Sequence, residues 1–333
     1  MKPSEQKRKG RSAPEAGAIV LVALVLDMLG EPPPAYHPVV WFGKLIRRLE
    51  RAAPHTRLFQ LLYGVVMLVI AAPSAYLLAM IAHAFAKWVR AEASRRGCPA
   101  SGCVLYVLIE GMSLKSFFAL SMLVAAGRSV RRALEQGDLP TARQRLHHLV
   151  SRERSQLTAE LAGAAAIESL AENLSDSVVA PLLYYLLFGL PGAAVYRLVN
   201  TFDSMIGYHG PYEYLGKAAA RLDDGLNLLP SRLTAFLIVA CAPLFGGNQH
   251  NAWQIWRRDA RQTASPNAGH PMAAAAGALG VQLEKVGYYQ LGDSDRAIMT
   301  QSIRQAERMV WSIGCIVVCL TALFKTFWRA EHG

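Results

Sequence analysis

Leu58-Phe-Gln-Leu-Leu-Tyr-Gly-Val-Val-Met-Leu-Val-Ile-Ala-Ala-Pro-Ser-Ala-Tyr-Leu-Leu-Ala-Met-Ile-Ala-His-Ala84 is an apolar run with no acidic residue, lysine or arginine. A helix needs about 20 such residues to cross a bilayer, so the run is long enough to span. Pro73 interrupts it, but a membrane helix tolerates proline where neighbouring groups satisfy the freed backbone. This stretch therefore predicts a membrane-spanning helix.

Further apolar segments flank it. Val310 to Phe327 is close to spanning length, whereas Ala16 to Gly30 is short for a full crossing. Cys103 to Ala126 contains Glu110 and Lys115, which are costly in lipid and should face a protein interior or a watery cavity. We expect about four to seven membrane-contacting segments.

A fifth segment, Val178 to Val199, is interrupted by Gly189-Leu-Pro-Gly192. Glycine and proline together end or kink a helix, so this segment predicts two half-length helices around a turn. A broken helix at membrane depth is tolerated where it lines a cavity or is buried in protein.

Composition supports the same class of fold. Hydrophobic residues make up 53% of the 333 residues and charged residues only 18%, which is typical of a membrane protein. Strand patterns are scarce. We therefore predict an all-α, polytopic integral membrane protein with broken or re-entrant helices and cytoplasmic helical segments.

The formal net charge of +11 is distributed over short loops rather than along one basic stripe, so no nucleic-acid partner is expected. Basic residues on the cytoplasmic side of the membrane explain the charge better. Lys2, Lys7, Arg8, Lys9 and Arg11 predict a cytoplasmic N-terminus and a multi-pass protein of the inner cell membrane.

Polar composition also predicts the domain organisation. Residues 1–15 are charged and are expected to be disordered. Residues 16–333 are expected to form a single membrane-embedded catalytic domain. Within it, residues 128–160 and 246–308 are polar enough to form cytoplasmic helical insertions.

Ala166-Ile-Glu-Ser-Leu-Ala-Glu-Asn-Leu-Ser-Asp176 carries the most informative polar pattern. Glu168, Glu172 and Asp176 follow one another at i,i+4 spacing, which places side chains on one helix face. Three acids on one face repel one another unless a cation lies among them.

Two later segments repeat this chemistry. Asn200-Thr-Phe-Asp203 has the same Asn-x-x-Asp spacing as Asn173 to Asp176. Arg221-Leu-Asp-Asp-Gly-Leu-Asn227 follows, with Asp223 and Asn227 on one helix face.

Oxygen ligands on helices suit Mg²⁺, a hard cation held by one or two carboxylates together with substrate phosphates. The predicted metal ligands are Glu168, Glu172, Asp176, Asp203, Asp223 and Asp224. The alternative is that these acids cap helices and pair with Arg197, Arg221 and Arg232.

Other residues are suited to anions, although no phosphate-binding P-loop is present. His37 and Lys44 lie near the first apolar segment and could hold a phosphate, or could instead anchor the chain at the interface. Ser151-Arg-Glu-Arg-Ser155 offers Arg152 for an anionic group. Asp27 lies in an apolar run and predicts either a base partner such as Arg47 or a place in the site.

Several motifs in order resemble the CobD/CbiB family of cobalamin biosynthesis. They are Leu26-Asp-Met-Leu-Gly-Glu-Pro32, His37-Pro-Val-Val-Trp-Phe-Gly-Lys44, residues 165–181, residues 196–208, residues 219–224 and Ser265-Pro-Asn-Ala-Gly-His-Pro-Met-Ala273. The resemblance covers about residues 20 to 295. This chain has Ser151-Arg-Glu-Arg154 where the family usually shows Ser-Arg-Asp-Thr, and His270 where the family often has Trp.

The resemblance implies an integral membrane enzyme, an adenosylcobinamide-phosphate synthase. Such an enzyme uses ATP and Mg²⁺ to join a propionate carboxylate of adenosylcobyric acid, a corrinoid, to aminopropanol or aminopropanol phosphate. The expected catalytic residues are Glu168, Glu172, Asp176 and Asp203. The residues expected to bind cofactor and substrate are His37, Lys44, Arg152, Asn173, Arg197, Asn200, Arg221 and Asn227.

Other classes stay open from the residues alone. Two Asn-x-x-Asp repeats on membrane helices also suit a Mg²⁺-dependent intramembrane prenyltransferase. A non-catalytic membrane regulator or a transporter on the same scaffold is a further alternative. Besides the substrates and the lipid bilayer, other membrane enzymes of cobalamin assembly and a second copy of the chain are candidate partners.

Overall fold

The computed structural model describes residues 3–148, 156–208 and 210–332. Helices dominate these residues. The helices are α1 (Pro3–Leu29), α2 (Pro38–Glu50), α3 (Arg57–Arg95), α4 (Pro99–Lys115), α5 (Leu120–Glu135), α6 (Leu139–Arg145), α7 (Ala159–Leu174), α8 (Ala180–Ile206), α9 (Lys217–Cys241), α10 (Gln249–Asp259), α11 (Gly269–Leu279) and α12 (Thr300–His332). A short antiparallel hairpin joins β1 (Leu283–Lys285) to β2 (Tyr289–Leu291).

Four helical stretches are long and apolar enough to cross a membrane. They are Arg57–Arg95, Ala159–Ile206, Lys217–Phe245 and Thr300–Trp328. The pair α4 and α5, bent by 42°, would make a fifth if it forms one span. Val69, Leu77 and Ile81 on α3 are exposed, as expected for side chains that face lipid. The predicted all-α membrane class is confirmed.

The predicted break in the helix after Val178 is also confirmed. Gly189 has φ 68° and ψ −160°, which are not helical angles, and Pro191 follows it within α8. Only glycine adopts this region without a steric penalty from a Cβ atom. The local sequence therefore determines where α8 changes direction.

The chain forms two compact units. The single domain expected over residues 16–333 stays a prediction. The first unit consists of residues 1–119, 181–225 and 317–333, and the second of residues 120–180 and 226–316. Each unit combines segments that are far apart in sequence. Domain boundaries inferred from the order of residues along the chain therefore do not reveal the two units.

The expected disorder of residues 1–15 stays a prediction. The backbone is helical from Pro3, where α1 begins. Glu5, Gln6, Lys7 and Arg8 are good helix formers, which favours this continuation.

In the first unit, small residues allow close packing of α1, α3 and α4. A Cβ atom at Gly111 would overlap the Val22 side chain of α1, and one at Gly102 would crowd Ala93 and the Arg90 carbonyl of α3. Close helix contacts of this kind are a common way to stabilise membrane bundles. The packing of α4 between α1 and α3 therefore depends on these glycines.

The charged residues in these apolar helices are paired within the first unit. Lys115 Nζ donates to Asp27 Oδ1 at 3.0 Å and to Glu31 Oε1 at 2.6 Å. Glu110 Oε1 lies 2.6 Å from His83 Nδ1. The interior position expected for Glu110 and Lys115 is confirmed. Asp27 has a base as its partner, as one of the two expectations held, but that base is Lys115 rather than Arg47.

In the second unit, α7 packs against α5, α6 and α11. Its buried face is rich in alanine, including Ala162, Ala165 and Ala166. Gly277 of α11 approaches Ile255 and the Asn251 carbonyl of α10 so closely that a Cβ atom would overlap them. The small-residue run on α11 is thus a packing surface.

Helices also form in the two regions predicted as cytoplasmic insertions. Asp138 caps α6 by accepting from Thr141 N at 3.0 Å, after Gly137 turns the chain with φ 72°. Residues 149–155 lie outside the described residues. The hairpin of β1 and β2 within residues 246–308 was not predicted. The cytoplasmic location of both insertions stays a prediction.

Replacing Lys115 with methionine should destabilise the protein, because Asp27 would keep a buried negative charge without its cation. Removing one partner of a buried pair typically costs about 3 to 5 kcal/mol. Thermal and denaturant unfolding in detergent would measure the loss.

The control for that prediction is Arg95→Met, since the Arg95 side chain is 68% exposed beside Glu92. An exposed pair contributes only about 0 to 1 kcal/mol. Equal stability of Lys115→Met and Arg95→Met would contradict the importance of the buried pair.

Candidate functional site of α7, α8 and α9

The acidic helix α7 belongs to the second unit. Glu168 is buried, and Glu172 and Asn173 are partly buried. Asn173 Nδ2 donates to the Ser169 carbonyl at 3.0 Å and to Ser169 Oγ at 3.1 Å. Glu168 and Glu172 share a face of α7, as their spacing predicts.

A π-helical turn, Ser175–Val179, follows α7. Its hydrogen bond runs from Ala180 N to Ser175 O, so each turn holds one residue more than in an α-helix. Asp176 is the second residue of this turn, and its place on the same face as Glu168 and Glu172 stays a prediction. Such π-helical turns occur frequently at functional sites.

The second half of α8 and the start of α9 belong to the first unit. Asn200 Nδ2 donates to Asp223 Oδ1 at 3.5 Å, and both residues are buried. Arg197 Nη1 donates to Asn200 Oδ1 at 3.3 Å. Two of the predicted polar motifs are thereby brought together by a chain of hydrogen bonds.

Further acids lie beside this chain. Asp203 and Asp224 are partly buried and close enough for their negative charges to interact, and the charge of Arg221 acts on Asp224. Among the residues that the structure describes, no three His, Cys, Asp or Glu side chains converge in a group that could hold a metal. A Mg²⁺ ion here would thus depend on amides, water or substrate phosphates for part of its coordination.

Two glycines bring α8 and α9 together. A Cβ atom at Gly216 would overlap the Ile206 carbonyl, and one at Gly207 would overlap Asp203 Oδ1. Tyr212, between them, donates from its hydroxyl to Glu50 Oε1 of α2 at 2.6 Å. Sequence reasoning missed all three residues as positioning groups, although glycines at both ends of a short connection are a recognisable signal.

His37 has a structural role in the first unit. Its Nδ1 accepts from Val39 N at 3.2 Å at the start of α2, which leaves Nε2 as the donor to Glu31 Oε2 at 3.1 Å. Burial raises the pKa of Glu31, but hydrogen bonds from His37 and Lys115 lower it further, so the net shift is downward. Lys44 is exposed on α2. The predicted phosphate contacts of His37 and Lys44 stay predictions.

Three further predicted residues are Asn227 and Arg232, which the structure describes, and Arg152, which it does not. Asn227 is buried on α9, one turn after Asp223. Arg232 bonds to neutral oxygens, among them Asn267 Oδ1 at 2.9 Å, and not to a carboxylate as the alternative reading supposed. Arg152 lies outside the described residues.

These features define a helical protein with spans long enough for several membrane crossings and with carboxylates and amides on α7, α8 and α9. The chain belongs to the CobD/Cbib protein family, whose model matches residues 20–312.

Similar proteins agree with this assignment. The chain is 43% identical to the "Cobalamin biosynthesis protein CobD" of Dehalococcoides mccartyi, over 91% of this chain and 95% of that one. It is 39% identical to the "Probable cobalamin biosynthesis protein CobD" of Methanothermobacter thermautotrophicus, over 88% and 92% of the two chains. It is also 39% identical to the protein named CobD of Geobacter metallireducens, over 94% and 98%. No solved structure gives a significant match.

Replacing Gly216 with alanine should displace the connection between α8 and α9, because the new Cβ atom would meet the backbone of Ile206. Overpacking of this kind costs about 1 to 3 kcal/mol. Unfolding in detergent would measure the change.

Gly225→Ala is the matched control. A Cβ atom at Gly225 meets nothing within 4 Å, and the residue lies within α9. Alanine is about 0.5 to 1 kcal/mol better than glycine in a helix, so this variant should be as stable as the parent or more stable. A loss of stability in Gly225→Ala, or none in Gly216→Ala, would argue against the close approach.

Proposed function

We propose that this chain is a cobalamin-biosynthesis enzyme, an ATP-dependent amide ligase that makes adenosylcobinamide phosphate. Its substrates would be adenosylcobyric acid and (R)-1-amino-2-propanol O-2-phosphate or the free amino alcohol. The main support is the concentration of carboxylates and amides on apolar helices in a chain that matches the CobD/Cbib family over residues 20–312. Such groups are costly in a membrane protein and mark functional sites.

The chemistry requires activation of a carboxylate. A carboxylate oxygen of the corrinoid would attack the γ-phosphorus of ATP, forming an acyl phosphate and releasing ADP. The acceptor amine would then attack the carbonyl carbon, so that the new C–N bond forms as the C–O bond to phosphate breaks. The amine loses a proton in this step, and inorganic phosphate leaves with the former carboxylate oxygen.

The residues present fit Mg²⁺ as the partner of ATP. In the first unit Asp203, Asp223 and Asp224 would hold the ion, and in the second Glu168, Glu172 and Asp176 are the candidate ligands. Bound Mg²⁺ would neutralise the negative charge of the ATP phosphates. A full cage of protein ligands is not required, since Mg²⁺ usually keeps waters and phosphate oxygens.

Other side chains would bind and orient the substrates. Arg197 and Arg221 in the first unit carry positive charge for phosphate or carboxylate groups, and Arg197 is already oriented by Asn200. Lys44, His37 and Arg152 remain candidates for the same role. One carboxylate of α7 or α8 would accept the proton that the amine releases.

We also propose that the protein is a multi-pass component of the inner cell membrane with a cytoplasmic N-terminus. The four apolar helical stretches support the membrane setting. A corrinoid is large and amphipathic, and a membrane site would offer an apolar surface for its ring while its amides face water. Other membrane enzymes of cobalamin assembly are the proposed partners.

An assay of the detergent-purified chain with adenosylcobyric acid, aminopropanol phosphate, ATP and Mg²⁺ tests the proposal. We expect the amide by mass spectrometry and one ADP for each amide formed. Consumption of a prenyl diphosphate without corrinoid would instead identify a prenyltransferase. Corrinoid uptake into vesicles without amide formation would identify a transporter.

Replacing Glu172 with glutamine should leave folding and membrane insertion intact but lower kcat/KM at least about 100-fold. The substitution removes a charge placed to bind Mg²⁺ or to accept a proton, while the shape of the side chain is kept. Steady-state amide formation and unfolding in detergent would be compared for each variant.

Glu160→Gln is the control on the same helix, since Glu160 is exposed in the first turn of α7. It should retain activity near that of the parent. Near-normal turnover of Glu172→Gln would remove Glu172 from the catalytic set.

A further inference from the structure

A group of cationic and polar side chains surrounds the segment that leads into α11 in the second unit. Arg232 on α9 donates to Asn267 Oδ1 at 2.9 Å, to Ser231 Oγ at 3.1 Å and to the Pro266 carbonyl at 3.2 Å. Among the residues that the structure describes, all its hydrogen-bond acceptors are neutral oxygens. The guanidinium is therefore held in place while its positive charge is not neutralised.

Arg261 adds a second positive charge to the group. It is exposed, and in the described part of the chain neither Arg232 nor Arg261 forms an ion pair with a carboxylate. The nearby acid Asp259 is engaged elsewhere. Its carboxylate accepts from Arg258 at 2.7 and 2.9 Å, from Gln262 at 2.8 Å and from Gly292 N at 2.8 Å.

His270 completes the group and is uncharged at neutral pH. Its Nδ1 accepts from Trp256 Nε1 at 3.0 Å, which places the ring hydrogen on Nε2. Burial, followed by the positive charges of Arg232 and Arg261, lowers the pKa of His270 to about 4. Both arginines thus lie near this ring, which offers a neutral hydrogen-bond donor beside them.

The segment is held rigidly by its own hydrogen bonds. Ser265 Oγ accepts from Asn267 N at 3.2 Å and from Ala268 N at 3.3 Å, and Thr263 Oγ1 donates to the Ser265 carbonyl at 2.8 Å. A preformed set of donors binds a ligand with less loss of conformational entropy than a flexible one.

We propose that Arg232, Arg261 and His270 form the subsite for the phosphate monoester of the amine acceptor. This inference rests on the proposed function, since it assigns one substrate of that reaction. Guanidinium groups match phosphate oxygens in bidentate geometry, and a monoester carries close to two negative charges at neutral pH.

Within the described group no acid is available to bind a metal ion. The group therefore suits a metal-free phosphate, such as that of the acceptor, better than it suits Mg-ATP. Mg-ATP would bring a cation toward two arginines that no carboxylate screens, whereas a phosphate monoester without metal would complement them. The position also suits a substrate site. The segment leads into α11, which packs against α7, the helix of Glu168 and Glu172. Asn227 lies one turn before Ser231 on α9.

The test compares phosphorylated and free aminopropanol as acceptors, with adenosylcobyric acid and Mg-ATP saturating. In Arg261→Ala the KM for the phosphorylated acceptor should rise roughly 10-fold or more, the scale of one lost hydrogen bond to a charged group. The KM for free aminopropanol should not change. Arg232→Lys, which keeps the charge but loses the bidentate geometry, should show the same selectivity for the phosphorylated acceptor.

Arg257→Ala is the matched control, because Arg257 is an exposed arginine that lies over the Trp253 ring outside the group. It changes the net charge equally and should leave both KM values unchanged. Equal changes for the two acceptors in Arg261→Ala, or a change only in the KM for ATP, would overturn the assignment.

Calorimetry with aminopropanol phosphate alone separates the subsite from the reaction. If the parent chain makes no amide but binds this compound, and Arg261→Ala does not, the proposed function fails while the subsite stands. No binding to the parent chain would overturn the subsite.

A lipid phosphate is the other source of the same chemistry. The titration should give the same affinity in phosphatidylcholine nanodiscs with and without phosphatidic acid. If nanodiscs with phosphatidic acid abolish acceptor binding, and this effect requires Arg261, the group binds a lipid headgroup. That result would overturn the proposal.

Discussion

An ionisable side chain within an apolar helix must be paired inside the protein, because lipid offers it neither water nor counterions. Lys115 satisfies this requirement for Asp27 and Glu31, and His83 does so for Glu110. These contacts join α1, α3 and α4 and connect α1 with the segment before α2. The first unit is therefore organised by charge as well as by close contacts at Gly102 and Gly111.

The same requirement for charge pairing bears on the role of the acids of α7, α8 and α9. Structural charges in the first unit have close cationic partners, as Asp27 has in Lys115. Asp223 accepts a long hydrogen bond from the Asn200 amide, and Asp203 and Asp224 place two negative charges near each other, with the charge of Arg221 acting on Asp224. An arrangement of like charges is unfavourable alone and becomes favourable when a cation or a cationic substrate binds. The proximity of Asp203 and Asp224 supports the proposal that these acids bind a cation.

Local signals in the sequence predicted much of the fold. The apolar runs indicated spans, and Gly189-Leu-Pro-Gly192 indicated the break in α8, because both effects act within a few residues. The pairing of Asp27 with Lys115 joins residues 88 positions apart, so no local pattern shows it. The π-helical turn at Ser175–Val179 is equally hidden, since i,i+4 spacing assumes a regular α-helix. The polar motifs of the candidate site were predictable. The contact of Asn200 with Asp223 and the cationic group at Arg232 were not, because each depends on how helices pack within its own unit.

The account depends most on direct activation of the corrinoid carboxylate by ATP. Adenosylcobyric acid labelled with ¹⁸O in its reactive carboxylate would be converted with aminopropanol phosphate and Mg-ATP, and the released inorganic phosphate would be analysed by mass spectrometry. The account predicts one labelled oxygen transferred to phosphate for each amide formed. Amide formation with unlabelled phosphate would contradict an acyl phosphate intermediate and the ligase chemistry proposed for this chain.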